Sequence, residues 1–169
     1  MKKTLLAVLA IATSVGVLAQ GTILNTNYPS VIGTDAQITD VDMTTGLGPT
    51  YWVQVYQGDD PLGTPVHFSD IPAAAGYWTA SAAIVANGAP GDTVSIDVRA
   101  WESGADSYAA AMANGLLYGK SDAFEIALGG VGSPPTTPTP MTGLTAFSLV
   151  PEPSTAALGI LGAVAFMLR

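Results

Sequence analysis

The sequence predicts a mainly β protein: an antiparallel β-sandwich with one short helix, flanked by a signal peptide and a C-terminal hydrophobic helix. Three observations carry this expectation. Two stretches, "TYWVQVY" from residue 50 and "DTVSIDVRAWE" from residue 92, alternate side chains with period two and are rich in β-branched and aromatic residues. That pattern is the mark of a strand with one buried face. Turn-forming runs, "GLGP", "QGDDPLG" and "NGAPGD", punctuate the middle of the chain, each supplying Gly, Pro, Asn or Asp where the backbone must reverse. Finally, both ends are apolar whereas the middle is acidic.

The elements follow in order. Met1-Lys2-Lys3 is a short basic start, and residues 4–17 are small and apolar. Val17-Leu18-Ala19 then places small residues where a signal peptidase reads them, so residues 1–19 are expected to be a cleaved secretory signal. Residues 20–149 form the expected β-sandwich domain. In it, Val94, Ile96, Val98 and Ala100 point one way, and Ser95, Asp97, Arg99 and Trp101 the other. In the same manner Tyr51, Val53 and Val55 oppose Trp52, Gln54 and Tyr56. Shorter strands are expected at 22–25, 37–41, 65–69, 77–85, 123–128 and 144–149. The helix is "DSYAAAMANG", residues 106–115. It has Asp106 or Ser107 as N-cap, an alanine-rich body and Gly115 as its stop. Two turns of helix are not stable alone, so Tyr108 and Met112 are expected to rest on the sheet. The Pro-, Gly- and Thr-rich residues 129–143 are expected to be an extended, solvated loop.

Charge and cysteine content narrow the function. Between residues 20 and 150 there are twelve acidic residues and two bases, Arg99 and Lys120, a net charge of −10. Phosphate binding needs clustered Lys and Arg, so neither nucleic acid nor an anionic membrane surface is an expected partner. The chain has no cysteine, which removes disulfides, thiol nucleophiles and Cys-based zinc sites. A core must hold the domain, and about 130 residues suffice for one.

The C-terminal residues 150–169 read "VPEPSTAALGILGAVAFMLR". Ser154 opens fifteen uncharged residues that end at Leu168, with Arg169 last. As a helix they would span about 22 Å, short of the roughly 30 Å hydrocarbon core. The terminal base suits a short transmembrane helix whose end stays in the cytoplasm. Pro151-Glu152-Pro153, followed by Ser-Thr, an alanine/glycine-rich apolar run and a terminal base, resembles the PEP-CTERM sorting signal. The order "TYWVQVYQG", "VSIDVRAWE", "SYAAAMANG", "YGKSDAFEIALGG" and "GLTAFSLVPEP" is similar to a group of exported PEP-CTERM proteins of Gram-negative bacteria. The resemblance implies that Pro151, Glu152 and Pro153 are read by an exosortase, a membrane-embedded sorting enzyme. It further implies that the tail is removed and the body goes to the cell surface or extracellular matrix. That family usually ends in several bases, and this chain ends in one.

Candidate sites are few. His67 is the sole histidine and has neither a second histidine nor a G-x-S-x-G nucleophile elbow, so it is expected to be a surface residue. Asp40, Asp42 and the Thr44 hydroxyl alternate as calcium-loop ligands do. Thr45 stands where that loop needs glycine, Gly46 comes one residue late, and no acid closes the loop. An exposed turn is therefore expected there, and another at Asp59-Asp60. Asp97 and Glu102 fall on opposite faces of their strand, which does not suit a glycosidase pair. Trp52, Trp78 and Trp101 lie in three expected strands. They are either packing residues, given the area they bury, or candidate contacts for a carbohydrate.

The sequence thus leads to a non-enzymatic exported protein with no cofactor and no metal. Its expected partners are signal peptidase, an exosortase-type enzyme and, transiently, the inner membrane. Its role is expected to be structural or interactive, the alternative being a carbohydrate-binding module for matrix polysaccharide.

Overall fold

The computed structural model describes residues 20–150. The expected signal peptide, the Pro151-Glu152-Pro153 motif and the expected membrane helix lie outside those residues. The described chain is mainly β, with several antiparallel ladders and few helices. Its elements begin β1 (Thr22–Ile23), α1 (Pro29–Ile32), β2 (Ile38–Thr39), β3 (Tyr51–Gln57) and β4 (Asp60–His67). A 3₁₀ turn (Pro72–Ala74), β5 (Ile84–Val85) and β6 (Thr93–Glu102) follow, then α2 (Tyr108–Ala113), β7 (Tyr118–Lys120), β8 (Phe124–Ala127) and β9 (Phe147–Ser148).

The main sheet runs β4-β3-β6-β7, and β8 also pairs with β6. Strand β6 is its spine. It pairs antiparallel with β3 through Val55↔Val98, with β7 through Ala100↔Gly119, and with β8 through Val94↔Ile126. Strands β7 and β8 follow one another along one edge of β6. Ser121 joins them: its N–H donates to the Val98 carbonyl at 2.9 Å, and its Oγ accepts from the Val98 N–H at 3.0 Å. A hydroxyl thus completes the ladder where the backbone steps from one strand to the next.

The β3–β4 hairpin corrects the sequence reading. The turn is shorter than "QGDDPLG", and β4 begins five residues before the expected strand. Gly58, at φ 64°, lets the chain reverse within two residues. A bulge then interrupts β4, because Val53 faces Val66 whereas Val55 faces Leu62. Gly63 supplies the left-handed backbone there, at φ 63°, and the Gln54 side chain donates to its carbonyl at 2.8 Å.

Two small ladders accompany the main sheet. Strands β1 and β5 pair antiparallel, and β2 and β9 pair parallel. The stretch 77–85 is strand only at its end. Over its first part, side chains replace the ladder: the Trp78 N–H donates to Asn27 Oδ1 at 2.7 Å, and Thr26 Oγ1 donates to the Trp78 carbonyl at 2.9 Å. Residues 129–143 are mostly exposed but are not free. Leu24 N–H donates to the Thr139 carbonyl at 2.9 Å, and Met141 is buried. Gly129 lies so close to this segment that a Cβ there would meet the Thr137 carbonyl oxygen at 2.4 Å.

The principal core lies on the Val53/Val55/Ile96/Val98/Ala100 face, the face predicted by alternation. Ile23, Ile38 and Ile84 of the small ladders, with Leu47, Trp78 and Leu144, pack into it. The opposite face carries a second, aromatic cluster of Tyr56, Trp101, Ala105, Tyr108 and Ala111. Helix α2 covers that face. Ser107 is its N-cap, its Oγ accepting from the Ala110 N–H at 3.1 Å. Tyr108 is buried as expected, but Met112 is exposed, and Ala111, three residues after Tyr108, makes the contact instead. Ala111 is fully buried in the aromatic cluster between helix and sheet. Among the described residues, no helix is long and apolar enough to cross a membrane.

Candidate functional site

The α2-covered face gathers most of the chain's distinctive side chains. Register alone builds a row across four strands, His67↔Trp52↔Trp101↔Tyr118, from β4 to β7. Neighbouring cross-strand positions are close enough for large rings to touch. Trp52 and His67 stack with centroids 3.5 Å apart and planes 28° from parallel. Trp101 meets Tyr108 edge-to-face at 6.4 Å, and Tyr108 meets Tyr118 likewise at 5.6 Å.

Burial sorts the three tryptophans. Trp101 is 0% exposed, beneath Tyr108, with its indole N–H donating to the Ala105 carbonyl at 3.0 Å. Trp78 is 1% exposed, in the principal core, with its Nε1 donating to Asn25 Oδ1 at 2.8 Å. A sugar needs an open ring face, so of the two readings given for Trp101 and Trp78 their burial fits packing. The physical reason is the covering element in each case, α2 over Trp101 and the Asn25–Asn27 segment over Trp78. Trp52 alone is half-buried, at the surface beside His67.

Beside this row sits a caged arginine. Arg99 donates through Nε to Asp97 Oδ2 at 2.7 Å and through Nη2 to Asp97 Oδ1 at 3.3 Å. It also donates to the Gly58 carbonyl and lies 3.5 Å from Asp59. Its guanidinium is 4.1 Å from the Tyr56 ring centroid and 5.4 Å from that of Tyr108. Burial pushes both phenols up in pKa, with the Arg99 charge opposing it. Asp97 is only 8% exposed, so the pair satisfies itself and ties the β3–β4 turn to β6. Glu102 is five residues further along on the other face of the strand.

The acidic turns also spend their oxygens on the backbone. Asp42 Oδ1 accepts from the N–H groups of Thr44 and Thr45 at 2.9 and 2.8 Å, and Oδ2 accepts from the Thr45 hydroxyl. The Thr45 hydroxyl, then the N–H groups of Thr45 and Thr44, hold this carboxyl far below the usual carboxylate range. Asp40 Oδ1 accepts from the Val41 N–H at 2.7 Å. Among the described residues, no three His, Asp or Glu side chains gather as a metal ion would need.

One open groove of about 450 Å³ lies at the end of β4, a volume in the range of small-ligand sites. Tyr28, His67, Ser69, Asp70 and Ile71 line it, with Phe68 and Trp78 behind. Sequence reasoning missed all of these as a group except His67 and Trp78. Tyr28 follows Asn27, which is pinned, its Nδ2 donating to the carbonyls of Ala36 and Gly76 at 2.8 and 3.0 Å. The "NTNYP" run that carries Tyr28 was the one local signal, as polar residues before a proline mark a constrained turn. Tyr28 in turn packs against Tyr77, centroids 5.6 Å apart, and the Tyr77 hydroxyl donates to Asp35.

In comparisons with protein-family models, curated proteins and solved structures, nothing matches this chain.

Proposed function

We propose that this is an exported, non-enzymatic protein of the cell surface or extracellular matrix, delivered by a PEP-CTERM tail through an exosortase-type enzyme. Its β domain plays a structural or interaction role. The observation that carries this reading is where Pro151-Glu152-Pro153 falls relative to the fold. The Val150 N–H donates to the Tyr118 carbonyl at 2.8 Å, and Leu149 N–H to Thr39 at 3.0 Å. The motif begins at the next residue, so cutting there leaves β9 and its core contacts whole. The other end is alike: Gly21 N–H donates to the Gly88 carbonyl at 2.9 Å, two residues after the expected signal-peptidase site. Backbone pairing that runs from Gly21 to Val150 fits a chain cut at both expected points.

The finer architecture belongs to the same proposal. The domain is read as a β-sandwich whose second layer is built from the short β1–β5 and β2–β9 ladders. Their residues Ile23, Ile38 and Ile84 share the principal core with β3 and β6, as inner faces of packed sheets do.

The test is made in a host that carries the sorting enzyme. With Pro151, Glu152 and Pro153 replaced by alanine, full-length protein is expected to accumulate in the inner membrane. Mass spectrometry of released wild-type protein is expected to lack the 159–169 peptide. Released protein with an intact Arg169 terminus would overturn the sorting reading.

A further inference from the structure

We propose that the groove at the end of β4 is a binding site for a neutral saccharide chain. The inference does not depend on sorting: the tail and the groove are different residues, and either reading can fail alone. It replaces the contact expected of Trp101 with a different, open site.

Three properties of the groove select this ligand class. Its walls carry two planar rings and one alkyl side chain: the half-buried Tyr28 ring, the Trp52-stacked imidazole of His67, and Ile71, 57% exposed. Such walls suit the C–H face of a pyranose, and rings held in place lose little freedom on binding. Tyr28 is held by Tyr77, itself tied to Asp35, and His67 is held by Trp52.

Its polar groups are rich in acceptors. His67 Nδ1 lies 3.2 Å from the Tyr51 carbonyl. A carbonyl only accepts, so in the neutral ring Nδ1 carries the proton and Nε2 is left to accept. The Asp70 carboxylate is exposed, and among the described residues it receives no hydrogen bond from a side chain. An acceptor-rich groove fits a ligand rich in donors, and each free hydroxyl of a sugar can donate.

Its charge excludes the alternatives that share hydroxyls. The groove is lined by no Lys or Arg, and the body carries only two bases against twelve acids. Uronates, sulfated glycans and phosphorylated ligands would meet Asp70 without a counter-charge. What remains is an uncharged hexose polymer, held by stacking and by hydrogen bonds to Asp70 and His67.

Native affinity electrophoresis of the full chain in mild detergent tests this. The probes are hydroxyethylcellulose, laminarin and galactomannan, with polygalacturonate as the charged comparison. Retardation is expected in at least one neutral polymer and not in polygalacturonate. Ile71→Ser and Asp70→Asn, both at exposed positions, are each expected to weaken retardation about threefold to tenfold, the scale of one stacking or hydrogen-bonding contact. Val131→Ser, exposed and remote in the 129–143 loop, should change nothing. Near-ultraviolet circular dichroism identifies any variant that has unfolded, and the other variant then carries the test. The proposal is overturned if no neutral polymer retards the protein, or if retardation survives both substitutions. Polygalacturonate binding would equally overturn it, since the groove would then not be selecting an uncharged chain.

Discussion

Asp97 and Arg99 show how a single pair decides the character of a whole face. Both are largely buried, and each is the other's main partner. A buried ion pair adds little net stability, but losing one member strands the other. Arg99→Ala is therefore expected to destabilise the protein by about 3–5 kcal/mol. Replacing both residues with apolar ones of similar size should recover most of that loss. Urea denaturation of the two single variants and the double variant measures the coupling; additive costs would show that the pair is not acting as a unit. Tyr77 makes a second residue-scale case. Its hydrogen bond to Asp35, with burial adding to it, pushes the phenol from 10.0 up to about 12. A raised native value means the folded state keeps its proton longer, so the contribution is fully present below pH 10.0 and fades as the pH rises through about 12. Tyr77→Phe should remove that alkaline loss, and absorbance at alkaline pH should show one fewer late-titrating phenol.

At the scale of elements, β6 and α2 matter most. Strand β6 is buried on both faces over its second half, because the principal core takes one side and α2 the other. Ile96→Ala should cost about 2–5 kcal/mol through lost burial and the cavity left behind. Ser95→Ala, on the exposed stretch of the opposite face, should stay within about 0.5 kcal/mol. Trp101→Ala should resemble Ile96→Ala, at about 3–5 kcal/mol, with no selective loss of glycan retention. Equal costs for Ile96 and Ser95 in chemical denaturation would refute the strand's orientation. For α2, Ser107→Ala removes the only side-chain cap and should cost about 1 kcal/mol. The same substitution at Ser103, exposed before the helix, should cost little, and thermal melts of the two variants separate them.

For the molecule as a whole, the question is how a chain without cysteine closes. It does so by bringing the beginning and end of residues 20–150 into one core: Ile23 and Leu149 are both buried there. Leu149 lies two residues before Pro151, yet Leu149→Ala is expected to cost about 2–5 kcal/mol. Val150→Ala, at 48% exposure, should cost far less. Comparable melting temperatures for the two would mean that the last strand is not part of the cooperative unit. The same closure explains why the acid excess is tolerated. Most carboxylates lie on exposed turns, where water screens them, and the least exposed of them, Asp97, is paired.

The sequence by itself determined the β class, the strand expected over 92–102 with its inward residues and found at Thr93–Glu102, the helix expected over 106–115 and found at Tyr108–Ala113, and the turn within 39–46. Each of these is a local property, because alternation, capping and side-chain-to-backbone turns act within a few residues. The tertiary structure decided the rest. Strand β7 is three residues long and is held by β6, so no periodicity could announce it. The stretch 77–85 has strand-like composition, but Asn27 and Thr26, some fifty residues earlier, take its backbone bonds. Alternation placed Trp101 on the outer face and was right about the face. Whether that face meets water depended on α2, which returns over it only after the chain has turned at Ala105. The groove is the extreme case, assembled from Tyr28, next to the pinned Asn27, and residues 67–71. No local pattern encodes it, because its parts become neighbours only when the core between them is packed.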